Sequence, residues 1–354
     1  MENHYTVTGL MSGSSADGVD LACCEFTLDG LQWHYRILHA ETIPYPAALS
    51  DKLNQAIHWN QHDIERLDRE AGEYYASALN QFHAGYQLEP DLISSHGHTI
   101  LHQPSKGVTL QIGNGRIMAD LTGITVVNDF RKEDVKQGGQ GAPLVPVGDS
   151  LLFGGFEACL NLGGFANISY DDGSGKRLAF DIGPANLPLN WLAELEGKPF
   201  DHQGDIAKSG RVVGTLLEAL NNLGYYRLPS PKSLGREWFL EQFLPLLQKA
   251  HLPVPDLMAT SVEHLAVQIG KGIALTGAHS VLVTGGGAYN TALVEKIRKH
   301  AVAGLVIPDR NLVEFKEALI FALLGLLRIR SEINSLASVT GGPRDLSAGT
   351  IYLP

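Results

Sequence analysis

The stretch GLMSGSSADGVD (9–20) places three glycines, three serines and two aspartates within twelve residues. Glycine permits the backbone angles and close approach that let successive N–H groups cradle an anion. Gly13, Ser14, Ser15, Ala16, Asp17, Gly18, Val19 and Asp20 therefore form a candidate phosphate loop, with the serine hydroxyls as added donors. A carboxylate in such a loop can hold Mg²⁺ directly or through water, and Asp17 is the candidate ligand. An ordinary hairpin connection is the plainer reading of a Gly/Ser-rich turn taken alone. The stretch also begins like a G-x-S-x-G nucleophile elbow, but Asp17 stands at the closing glycine and strands flank it on both sides, which that elbow does not allow.

A second carboxylate, Asp181, ends an apolar run and meets a Gly-Pro turn in DIGPAN (181–186). A strand-end aspartate is often a cap or turn former, yet one that projects into a cleft is a candidate functional group, and its likeness to the first meander favours that reading. His96, His98 and His102 are spaced without a completing acid or cysteine, and Pro104 makes a helix there a poor expectation, so hydrogen bonding is a better reading than metal ligation. Arg131 follows a strand in NDFR and could clamp a carboxylate through its planar fork, or pair with Glu133 or Asp134. Glu317 stands near the start of an apolar helix, where dipole compensation is its bland role. Gly285, Gly286 and Gly287 follow a buried strand and precede a helix, a place where a phosphate or a flat ring can pack.

The elements needed to hold these groups are legible in the periodicity. Strands are predicted over 4–8, 19–28 and 31–43 as an antiparallel meander, and over 92–95, 109–112 and 124–127. Apolar residues at three-four spacing predict a helix over 63–86, and a shorter one is predicted over 114–121. A second meander over 157–162, 166–171 and 178–182 repeats the plan, again with a Gly-containing turn and an aspartate. Helices are predicted over 187–195, 239–250, 262–276, 291–300 and 315–328, with Pro245 kinking or shortening the second, and a buried strand over 281–284. Two halves on one plan suggest duplication of architecture. The flexible junction at 138–143 puts the expected division at 1–132, joined by 330–354, and 133–329.

Composition bounds the function. The chain has 354 residues, 44% apolar and 18% charged, with a formal charge of −11. Length suggests two domains, and the acidic balance argues against a nucleic-acid or anionic-membrane partner. Cys23 and Cys24 are strand neighbours on opposite faces and Cys159 is distant, so reduced thiols in a cytoplasmic protein are expected. No basic-then-apolar leader opens the sequence, and the longest apolar run, 318–327, is half a membrane span.

Taken in order, GLMSGSSADGVD (9–20), SHGHTILHQP (95–104), VVNDFRKEDVKQGGQGAPLVP (126–146), NLGGFAN (161–167), DIGPAN (181–186), PKSLGRE (231–237), VTGGGAYN (283–290), EALIFA (317–322) and VTGG (339–342) resemble the anhydro-N-acetylmuramic acid kinases. The resemblance spans nearly the whole chain. It implies an α/β fold of two RNase H-like (actin-like ATPase) domains with an interdomain ATP cleft. It also implies ATP-dependent conversion of 1,6-anhydro-N-acetylmuramic acid to N-acetylmuramic acid 6-phosphate in cell-wall recycling, with Mg²⁺ as cofactor and a homodimer as the assembly. By residue, it makes Asp181 the catalytic base and gives His96, Arg131 and Glu317 to the sugar. ATP falls to 13–20, Gly163, Gly164, Gly285–Gly287 and Asn290. The sequence departs from the family pattern at Ser14, His98, Ile182, Ala185 and Asn190, which bears on sugar range. The alternatives are a kinase for another sugar or amino sugar, an actin-like or chaperone-like ATP-driven binding module, and, more distantly, a serine hydrolase.

Overall fold

The computed structural model describes residues 3–13 and 16–354. Ser14 and Ser15 lie outside the described residues. The chain forms two compact units, 1–152 with 315–354, and 153–314.

In the first unit, β1 (His4–Ser12), β2 (Gly18–Asp29) and β3 (Gln32–Pro44) make the expected antiparallel meander. They are followed by β4 (Leu92–Gln103), β5 (Val108–Ile112) and β6 (Val126–Asn128). Strand β4 runs parallel to β1 and to β6, which antiparallel pairs leave to hairpins and parallel pairs leave to helical crossovers. The crossover here is the helix Gln61–Tyr86, capped by Asn60 and burying Leu67, Tyr75, Leu79 and Phe82 against the sheet. In the second unit, β7 (Ala158–Leu162), β8 (Phe165–Asp171) and β9 (Arg177–Pro184) repeat the meander, followed by β10 (Ser280–Thr284) and β11 (Gly304–Val306). The orders are β3-β2-β1-β4-β6, extended by β12 (Thr350–Tyr352), and β9-β8-β7-β10-β11. Directions match throughout, parallel at β7/β10 and β10/β11. This is one RNase H-like order used twice.

The unit boundaries differ from those expected at 132/133 and 329/330. Residues 133–152 and 315–329 pack within the first unit because the backbones come very close there. A Cβ at Gly9 would overlap the Ala318 carbonyl oxygen, and one at Gly148 would meet Ile320. The Ser94 hydroxyl donates to the Phe321 carbonyl. The helix Arg310–Ile329 begins five residues before the expected start and leaves helical geometry at Phe315, where the units divide.

Two other elements run longer than the apolar pattern predicts. Strand β4 continues through the mostly polar residues 96–103 because β5 pairs with 98–103. The helix Val254–Thr276 starts eight residues early, with Pro255 in its first turn, where the missing N–H costs nothing. Pro245 falls in the first turn of Leu244–Lys249, and a wide turn of π type, Phe239–Phe243, precedes it. Among the described residues, no helix is long and apolar enough to cross a membrane. All three cysteines are buried and outside any disulfide.

Candidate active site

Asp181 is set by a bulge. Ala166 faces Gly183 and Asn167 faces Asp181, so Ile182 is an extra residue in β9. Bulges re-aim the side chains beside them. Ile182 turns into the core against Gly272, and Asp181 is left half-buried. A single segment then grips Asp181 in three places. Its N–H donates to the Lys232 carbonyl at 2.9 Å. Its Oδ2 accepts the Leu234 N–H at 2.8 Å. Its own carbonyl accepts the Tyr225 hydroxyl at 2.6 Å. The Lys232 ammonium, 4.5 Å from the centre of the Tyr225 ring, donates to the Tyr225 carbonyl at 3.2 Å.

With Oδ2 accepting one main-chain donor, the carboxylate keeps lone pairs that can accept a proton. Burial pushes the carboxyl up to about 6, against the opposing pull of the Leu234 N–H. A base titrating there is ionised at neutral pH and close enough to it to transfer protons well. Behind this segment the Tyr226 hydroxyl lies 2.8 Å from His264 Nε2, and His264 Nδ1 lies 2.8 Å from Asn221 Oδ1. Because Asn221 Oδ1 can only accept, His264 donates from Nδ1 and accepts the tyrosine proton at Nε2. Burial pushes His264 down to about 3, so the network stays neutral. Tyr225→Phe should lower kcat about tenfold, the value of one hydrogen bond, and leave the KM for ATP unchanged. Steady-state kinetics read this directly, and an unaltered kcat would reduce the tie to a structural contact.

The glycine turns of the second unit converge on Asn186. Gly163 and Gly164 carbonyls accept the Asn186 and Ala185 N–H groups at 3.0 and 2.8 Å. The Asn186 amide donates to the Leu162 carbonyl at 3.0 Å. Gly285 has φ +83, with Leu162 and Asn161 where a Cβ would stand, so only glycine fits. Gly286 is exposed, whereas Gly287 packs against Leu162 and Asn186. Asn290 Oδ1 caps the helix Thr291–His300 by accepting the Leu293 N–H at 3.0 Å.

In the first unit the polar loop leaves β1 at Ser12. The Ser12 hydroxyl accepts the Tyr45 hydroxyl at 2.7 Å and lies 2.8 Å from His98 Nδ1. The Tyr75 hydroxyl lies 2.9 Å from that of Tyr45. Burial keeps both tyrosines protonated, pushing Tyr75 up to about 12, and pushes His98 down to about 4. Because the Tyr45 proton goes to Ser12, the Tyr75 hydroxyl donates to Tyr45. Tyr45 also donates its main-chain N–H to the Asp17 carbonyl at 3.1 Å, so one residue braces both ends of the loop. Ser50 holds the Ala16 carbonyl at 2.6 Å. The side chains of Ala16 and Val19 are in the core, so neither can offer a ligand more than main-chain groups. Asp17 is exposed, and Asp20 accepts the Thr42 hydroxyl at 2.6 Å.

Arg131, His96 and Glu317 come together in the same unit. Arg131 donates from Nε to His96 Nε2 at 3.0 Å and from Nη1 to the Gly141 carbonyl at 2.6 Å. Burial lowers Arg131 to about 10, opposed by the charge of Glu317. Burial raises Glu317 first of all, with Lys316 and Arg131 pulling the other way. The three histidines of this stretch thus take three separate partners, since His102 Nδ1 lies 3.0 Å from the Thr109 hydroxyl.

The sequence pattern of the anhydro-N-acetylmuramic acid kinases matches residues 5–354. The chain belongs to this family. It is 35% identical to the anhydro-N-acetylmuramic acid kinase of Saccharophagus degradans, over 98% of each chain. The kinase of Colwellia psychrerythraea is 36% identical over 100% of this chain and 98% of its own. That of Vibrio cholerae is 36% identical over 98% of each.

As a member of the anhydro-N-acetylmuramic acid kinase family, the chain accommodates its departures locally. Ile182 is a core residue, Ala185 is fully buried at the start of the helix Asn186–Leu195, and Asn190 is exposed on that helix. His98 has become the end of the chain of hydroxyls under the loop. Sequence reasoning missed Tyr225, the Leu234 amide, Tyr45 and Asn186. PKSLGRE (231–237) carried the signal for the second of these, and DIGPAN (181–186), which ends on Asn186, for the last.

Proposed function

We propose that this kinase opens 1,6-anhydro-N-acetylmuramic acid with water and phosphorylates the freed O6 from ATP, giving N-acetylmuramic acid 6-phosphate and ADP. The observation that carries the reading is Asp181, half-buried, with Oδ2 held by the Leu234 N–H and a carboxyl pushed up to about 6. In the anhydro-sugar, O6 is bonded to the anomeric carbon and offers no hydroxyl. The Asp181 carboxylate takes a proton from water as the water oxygen attacks the anomeric carbon. The bond from that carbon to O6 breaks, and O6 attacks the γ-phosphorus while the bond to the ADP oxygen breaks. Arg131 binds the lactyl carboxylate and Glu317 a sugar hydroxyl. Main-chain N–H groups of 13–18 hold the phosphates, and Gly163, Gly164 and Gly285–Gly287 flank the nucleoside.

Alignment and charge neutralisation are what phosphoryl transfer needs from the protein. Mg²⁺ supplies part of that neutralisation when bound with ATP. A magnesium carried largely by phosphates needs only one or two protein carboxylates, and the exposed Asp17 at the loop exit suits that need. A cytoplasmic setting, where ATP is available, and a homodimer complete the reading. The test is turnover with Mg-ATP and the anhydro-sugar in ¹⁸O-labelled water. Label is expected at the anomeric oxygen of the 6-phosphorylated product and not in its phosphate; an unlabelled sugar would sink the mechanism.

A further inference from the structure

We propose that His96 is a positioning residue that acts through Arg131, and that it makes the site selective for an acidic sugar without touching the sugar itself. The inference rests on the reading of Arg131 as the carboxylate fork.

The hydrogen bonds of His96 decide its role. A neutral imidazole has one donor and one acceptor. Arginine can only donate, so the 3.0 Å contact from Arg131 Nε requires a lone pair at His96 Nε2. The proton then sits on Nδ1, which lies 3.0 Å from the Gly97 carbonyl. Both ring nitrogens are spent inside the protein. One ring face lies against Phe321, with 4.6 Å between centroids, and the residue is 5% exposed. Burial and the neighbouring guanidinium also disfavour the charged form.

The local backbone is shaped to make this arrangement. Leu10 pairs with Ser95 and Ser12 with His98, so β4 carries one extra residue at 96–97. Gly97 occupies φ +71, and a Cβ there would run into the Ile112 carbonyl, so a glycine is required beside His96. On the other side, His96 and Gly141 take two of the five guanidinium N–H donors and fix the plane of the fork. A fixed fork binds a carboxylate with two parallel bonds at little further entropic cost.

The test is calorimetric titration of two sugars: 1,6-anhydro-N-acetylmuramic acid and neutral 1,6-anhydro-N-acetylglucosamine, which lacks the lactyl carboxylate. His96→Phe should weaken the acidic sugar about tenfold, one charge-assisted hydrogen bond's worth of order, and leave the neutral sugar unchanged. His96→Gln, whose amide oxygen reaches the Nε2 position, should restore most of the loss. Equal weakening of both sugars by His96→Phe, with no rescue by glutamine, would overturn the proposal by making His96 a direct sugar ligand. Arg131→Ala separates the two levels: if it weakens both sugars alike, the carboxylate-fork reading fails and this proposal falls with it. A measurement on the unaltered protein guards against misfolded variants. Imidazole ¹⁵N spectra should show His96 as the Nδ1–H tautomer throughout the stable pH range, and an Nε2–H tautomer would refute the arrangement.

Discussion

Asp181→Asn should lower kcat by about 10²–10⁴, the usual worth of a positioned general base, and at the same time make the protein more stable above pH 6. The second half follows from linkage. The folded state holds this carboxyl at about 6, above its ordinary 3.8, chiefly because burial disfavours the carboxylate. A raised pKa means that the folded state binds the proton more tightly. The resulting stabilisation is complete below pH ~4, where folded and unfolded chains are both protonated, and is lost as pH rises through about 6. The difference corresponds to at most ~3 kcal/mol, less whatever water relieves at a half-buried group. Asparagine keeps an oxygen for the Leu234 N–H and carries no charge, so it escapes this cost. Thermal unfolding should therefore show the variant a few degrees higher at pH 8 and equal to the parent near pH 4. The parent's kcat/KM should rise with pH through about 6. A variant that is inactive and also less stable at pH 8 would mean that Asp181 is a structural ligand. One that keeps near-normal turnover would remove its role as base.

The second large effect is on stability. Lys316 Nζ and Asp149 Oδ1 are 2.8 Å apart, with side chains only 5% and 4% exposed. They join the helix Val145–Leu152 to the helix Arg310–Ile329, close to the contact of Gly148 with Ile320. Removing one partner leaves the other charge buried, which costs about 3–5 kcal/mol. Asp149→Ala should lose that much in urea unfolding. The double replacement Asp149→Leu with Lys316→Met should lose far less, because no charge is then stranded. Glu317 feels both members of this pair, so the single variant should also raise the KM for the sugar. A loss below ~1 kcal/mol would show that water reaches the pair.

Much of this could be read without coordinates, for reasons that differ between elements. The two meanders were legible because alternation of apolar and polar residues has a period of two wherever one face of a sheet is buried. The helix Thr291–His300 was legible to the residue because a glycine run ends the preceding strand just before it. The glycine turns declared themselves by residue type, since few residues tolerate those backbone angles. Where β4 and the helix Val254–Thr276 ran longer than expected, pairing with β5 and burial among neighbours outweighed a weak local pattern.

What the amino-acid order determined by itself was the kind of chemistry and the plan of the fold: a repeated α/β unit, a polar glycine-serine loop, and a strand-end aspartate. Only the tertiary structure decided how those groups are tuned. Asp181 owes its basicity to burial and its placement to Leu234 and Tyr225, both distant in the chain. His96 owes its tautomer to Arg131. The aim of both Asp181 and His96 depends on one extra residue in a strand, and register is a property of two strands together. Desolvation and hydrogen-bond partnership likewise belong to the packed environment, so no window of sequence around either residue contains them.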